Sequence, residues 1–149
     1  MVNKCVKPII LICLVGLFNV LYFVSLKVFC KNPGNCDFLN YRIFNMKNTN
    51  CCSMWPISHF LLYFILGIFF PECGIPLIIF GVAWEGIEIL GGTLEAKKRK
   101  KRGQQYSEKY WMGSVADLIA NPLGFICGYF LQKLLKKNEK NYSKEETEP

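Results

Sequence analysis

One histidine, His59, is all the imidazole this 149-residue chain contains. Without a second His, and with no Cys–His grouping at finger spacing, a structural zinc module is not expected. The chain lacks a phosphate-binding Gly-rich loop, and no Ser or Cys stands on a recognisable nucleophile elbow. It also lacks a nucleic-acid module, and its basic residues have no aromatic residues interleaved, so no nucleic-acid partner is expected. Charge is missing locally as well. Four apolar runs, at about 9–26, 56–70, 75–90 and 115–131, carry no Lys or Arg and only three carboxylates: Glu85, Glu88 and Asp117.

What is present is segregated. Hydrophobic residues make up 52% of the chain, with twelve Phe, seven Tyr and three Trp, yet the net charge is +7. The basic residues gather between and after the apolar runs, as in a polypeptide sorted between lipid and water. The fold class this predicts is all-α: an integral, multi-pass membrane protein with about four transmembrane helices and a tight central helical hairpin. A helix needs about 20 apolar residues to cross about 30 Å of hydrocarbon. Ile9 to Leu26 meets that length. It is long for the core of a signal peptide and no small-residue cleavage site follows, so a retained helix is favoured.

Pro71-Glu72-Cys73-Gly74 separates the second and third runs and supplies the turn of the hairpin, whose arms are short for full spans. Gly91-Gly92 is expected to end the third run. Residues 1–137 then form a single membrane domain, and the Lys/Glu-rich tail 138–149 is expected to be disordered.

Of the eight Cys, Cys13, Cys73 and Cys127 lie in or beside apolar runs, where a thiol behaves as a small hydrophobe. Cys30, Cys36, Cys51 and Cys52 sit in the polar connector. If all four runs span, the connector shares a side with the Lys97–Arg102 cluster, and the excess of Lys and Arg there favours a cytosolic position. That keeps the connector cysteines reduced; the opposite orientation permits a Cys30–Cys36 bridge.

Polar residues inside the runs carry the functional signal. A charge at the centre of a bilayer costs about 2.5–3.5 kcal/mol on insertion scales, so intramembrane carboxylates point to a function. Glu85 and Glu88 share one helical face, as do Asp117 and Asn121. In an up-and-down bundle His59, Glu85, Glu88, Asp117 and Asn121 fall at one depth, together with Trp55, Trp84 and Trp111 as an interfacial belt. Such a pocket suits acid–base chemistry, and the same set suits a divalent cation at a lipid headgroup. Against this stands the plain structural alternative: a carboxylate near a helix start complements the dipole, and Ser58 and His59 cap a helix.

Gly124 and Gly128 form a G-x-x-x-G pair, which lets a second helix approach closely, here from within the chain. The Lys97–Arg102 cluster beside a span reads as a topogenic loop or a patch for anionic membrane lipid, at about 1 kcal/mol per basic residue.

The stretch from His59 to Gly128 resembles the VanZ-like group of small multi-pass membrane proteins. The resemblance rests on His59-Phe60 with Tyr63, then Glu88, then Ser114, Asp117, Asn121, Gly124 and Gly128. The Trp84-Glu85 pair is similar to a variant in related membrane families. Trp111 stands where that group usually has Arg, and Gly91 where it usually has Gln. The resemblance implies the fold and the site and supplies no substrate. The expected function is to bind or modify a lipid or lipid-linked headgroup at the polar pocket, with no particular cofactor implied. The alternative is a non-catalytic membrane scaffold or assembly protein, for instance of a viral membrane.

Overall fold

The computed structural model describes residues 2–30, 36–40, 54–102 and 115–145. Cys51, Cys52, Trp111 and Ser114 lie outside these residues. The described chain is helical, without strands: α1 Val2–Phe29, a 3-10 turn Phe38–Asn40, α2 Met54–Phe69, a 3-10 turn Pro71–Cys73, α3 Gly74–Lys101 and α4 Val115–Glu145. Three helical stretches are long and apolar enough to cross a membrane: Lys4–Leu26, Pro71–Leu94 and Val115–Glu139. The fourth apolar helix, Met54–Phe69, has 16 residues.

Burial is inverted relative to a soluble bundle. On α4, Val115, Ile119, Leu123, Ile126 and Phe130 face outward at helical spacing, while Asp117, Asn121, Gly124 and Gly128 face inward. Leu14, Phe18 and Leu21 of α1 and Ile75, Ile79 and Val82 of α3 are likewise exposed. Burying polar groups while leaving Leu and Ile outside is unfavourable in water and favourable in hydrocarbon.

The closest helix pair is α2 with α4. Glycine makes this seam. A Cβ on Gly124 would meet the Phe60 carbonyl, one on Gly128 the Phe64 carbonyl, and one on Gly67 the Phe125 carbonyl. Backbone therefore touches backbone along the crossing, as small-residue interfaces permit. The turn between α2 and α3 is short, but its arms meet mainly through side chains. Tyr63 Oη donates to the Leu77 carbonyl at 3.0 Å. Leu66 and Leu77 are fully buried and join Tyr63, Phe125, Ile12, Cys5 and Cys73 in the core.

Several expectations are corrected. Helix α3 does not stop at Gly91-Gly92 but runs on to Lys101. Two glycines cost about 1 kcal/mol each, and the Leu, Glu, Ala, Lys and Arg that follow are strong helix formers able to carry a helix already nucleated. The Lys97–Arg102 cluster thus lies on the last turns of a helix and its end rather than in a loop. For the same reason α4 continues through Lys133 and the charged tail to Glu145, so residues 138–145 are helical and not disordered. Cys73 is not a free apolar thiol: it is bridged to Cys5, tying the start of α1 to the turn before α3. A second bridge joins Cys30 and Cys36, so the reduced connector expected on the cytosolic side is not what the structure contains.

Candidate functional site

Three helices converge on one polar cluster. His59 comes from the second turn of α2, Glu85 from the middle of α3, and Asp117 and Asn121 from the first two turns of α4. The α2–α4 seam fixes His59 against Asn121, whose Oδ1 is 3.1 Å from His59 Nδ1. The same nitrogen is 3.4 Å from Glu85 Oε1. His59, Glu85 and Asp117 each offer a ligand atom, and those atoms lie within 4.8 Å of one another. Glu85 is 1% exposed, and neither of its carboxylate oxygens has a hydrogen bond among the described residues. An ionisable group held this way is costly, because burial removes its water without a full set of donors in exchange.

Of the five residues singled out from sequence, His59, Glu85, Asp117 and Asn121 gather at the cluster, and Glu88 stands at its edge, within electrostatic reach of Glu85 and Asp117. Glu88 lies one turn beyond Glu85, and its Oε1 accepts from Trp84 Nε1 at 2.6 Å within the same helix. The capping alternative does not describe the start of α2 either. Both Ser58 and His59 lie inside a helix that begins at Met54, and Ser58 Oγ donates to the Trp55 carbonyl at 2.7 Å.

Beside the cluster, α1, α2 and α3 enclose a cavity of about 160 Å³. His59, Asn121, Asn19 and Ser58 give part of its wall polarity, and apolar residues such as Leu62 and Phe80 line the rest. Tyr63 also borders it, in a notch left by Gly81, where a Cβ would strike the phenol oxygen. The indole of Trp84 also lines the cavity and packs against α1, within 3.0 Å of where a Cβ on Gly16 would stand. One amphipathic group fits such a space: a polar end at His59 and Asn121 with apolar matter behind it.

Two residues that sequence reasoning passed over complete the surroundings. Asp37, in the connector, is 4% exposed. Its Oδ1 accepts from Tyr22 Oη and from the Leu39 amide, and its Oδ2 from Trp55 Nε1, each at 3.0 Å. It fastens the connector to α1 and to the start of α2, one turn from His59. A lone Asp in a polar loop carries no sequence signal of burial. Cys5 was equally silent, since its partner is 68 residues away.

No known protein family, curated protein or solved structure matches the chain. Its chemistry therefore has to be read from the cluster and cavity themselves.

Proposed function

We propose that the chain is a multi-pass membrane protein, with α2 as a short fourth span, that binds or modifies the headgroup of a lipid or lipid-linked molecule. The observation that carries this is the union of a buried His–carboxylate–amide cluster with a mainly apolar cavity, in a bundle whose outer faces are apolar. A lipid headgroup is the common ligand with a polar end at membrane-interface depth and apolar matter behind it. In this reading His59 and Asn121 contact the polar end, and Glu85 and Asp117 act as acid–base groups or as ligands of a bridging cation. The VanZ-like resemblance supports it. Of the residues that carry the resemblance, His59, Tyr63, Asp117, Asn121, Gly124 and Gly128 belong to the site or its seam, and Glu88 lies one turn away.

The basic end of α3, Lys97–Arg102, lies about 20 Å or more along the helix from the cavity-lining Trp84 and would hold anionic lipid at the membrane surface. It also favours the second reading, a scaffold on an anionic membrane surface. The test is native mass spectrometry of the detergent-solubilised protein after extraction from membranes. A co-purifying lipid retained by the wild type and lost from both His59→Ala and Asn121→Ala supports the pocket. A lipid lost only when Lys97, Lys98, Lys100 and Lys101 are neutralised supports the scaffold.

A further inference from the structure

We propose that His59, Glu85 and Asp117, with the Asn121 carbonyl, form a binding site for one first-row divalent metal ion, Zn²⁺ or Mn²⁺. The proposal goes beyond the headgroup pocket and stands without it, because cation binding requires only these four side chains. Two observations carry it. The first is geometric. Ligand atoms of the three residues lie within 4.8 Å of one another, and the two separations from His59 Nδ1 are 3.4 Å to Glu85 and 3.1 Å to Asn121. Neighbouring ligands on a metal with bonds of about 2.0–2.2 Å stand about 3.0–3.5 Å apart, so both separations match edges of one coordination polyhedron.

The second observation concerns Glu85 alone. It is 99% shielded, it is aimed into the cluster, and both its oxygens lack a hydrogen bond. A protonated His59 offers a single N–H in this direction, which Asn121 Oδ1 already faces at 3.1 Å. That leaves both oxygens of Glu85 without a donor in a site that water does not reach. A divalent cation accepts several oxygens at once and binds a carboxylate in its ionised form. It also makes use of the Nδ1 lone pair and the Asn121 oxygen together, two acceptors that otherwise face each other only if Nδ1 carries a proton.

The donor set selects the metal. One imidazole and two carboxylates with an amide oxygen suit Zn²⁺ or Mn²⁺ better than Ca²⁺, which takes oxygen ligands only, or Mg²⁺, which keeps most of its waters. Glu88 is outside the set, because its carboxylate is taken by Trp84. The site opens toward the cavity through His59 and Asn121, so a vacant coordination position would face whatever occupies that space.

The experiment uses the full chain carrying an affinity tag without histidine, solubilised in detergent and purified without chelator. Metal content is read by inductively coupled plasma mass spectrometry, before and after EDTA treatment and after dialysis against Zn²⁺ alone or Mn²⁺ alone. The expected result is close to one equivalent of Zn or Mn per chain, removed by EDTA and restored by re-addition, with thermal unfolding shifted upward by several degrees in the loaded form. Glu85→Gln and Asp117→Asn each lower the content at least tenfold, whereas Glu88→Gln retains it. A wild type that takes up less than a tenth of an equivalent of either metal overturns the proposal. So does a Glu88→Gln variant that loses metal as fully as Glu85→Gln. If the Asp117 variant fails to fold, the contrast between Glu85→Gln and Glu88→Gln decides alone.

Discussion

His59 and Glu85 approach to 3.4 Å across two helices, with the carboxylate 1% and the imidazole 15% exposed. In metal-free protein this pair is asymmetric. Glu85→Gln removes a buried charge and keeps its volume, so thermal stability in detergent after EDTA treatment is expected to be unchanged or higher. His59→Ala removes the partner and leaves the carboxylate buried, and is expected to cost about 3 kcal/mol, the low end of what stranding a buried charge costs. Parallel unfolding curves for the two variants check the difference in sign. Equal losses of folded yield would make the cluster a structural network rather than a site held at a cost.

The α2–α4 seam gives a second expectation. Gly128→Val places two methyl groups against the Phe64 carbonyl, and the helices have to separate. We expect a loss of about 3 kcal/mol or more, since the obstacle is backbone rather than a side chain that rotates away. Gly86→Ala, where an added Cβ meets nothing within 4 Å, is the control and should be neutral or slightly stabilising. The fraction folded at increasing harsh-detergent content measures both.

Removing the acceptor at Asp37 should loosen the connector without unfolding the bundle. Asp37→Ala deletes three hydrogen bonds to a charged group, each with a typical worth of about 1.5–3 kcal/mol. The expected outcome is proteolytic cleavage between α1 and α2 at a rate at least tenfold above wild type. Tyr22→Phe, which removes one of the three, should fall between.

The two bridges lie at opposite ends of α1, Cys5–Cys73 at its start and Cys30–Cys36 at its end. If α1 crosses a membrane between an oxidising and a reducing compartment, only one of them persists. The structure has both closed; in that case the excess of Lys and Arg beside the connector would open Cys30–Cys36 and leave Cys5–Cys73 as the survivor. Alkylation of intact membranes, followed by reduction and a second, heavier alkylating reagent, should label Cys30 and Cys36 in the first step and Cys5 and Cys73 in the second. The reverse pattern would invert the orientation.

How much of this was legible in the sequence follows from the range of each signal. The apolar runs are local and long, so the helices could be placed from them, and the i, i+4 spacing of Asp117 with Asn121 put both on one face of α4. The gathering of His59, Glu85 and Asp117 followed from up-and-down topology alone. Helix ends were not legible: Gly91-Gly92 looks like a stop, but propagation from an anchored helix through Leu94 to Lys101 outweighs two glycines. Glu88 sits at the edge of the cluster, where Trp84, four residues earlier, holds one of its oxygens, a local contact that the spacing of the acids did not announce. Asp37 and Cys5 act through partners distant in sequence, and neither has a pattern that announces a partner.

The 16 residues of α2 measure about 24 Å, whereas the longer apolar stretches of α1, α3 and α4 measure about 35 Å or more. If α2 spans beside them as proposed, the molecule would be thinner on one flank than on the others, and lipid meeting that flank would have to dimple by several ångströms or leave it to be covered by protein. A dimple there draws the water boundary toward His59, near the connector end of α2. The same mismatch would make the protein settle in thinner bilayers over thicker, sterol-rich ones. The shortest helix would then act as a gauge of the membrane in which the site is reachable.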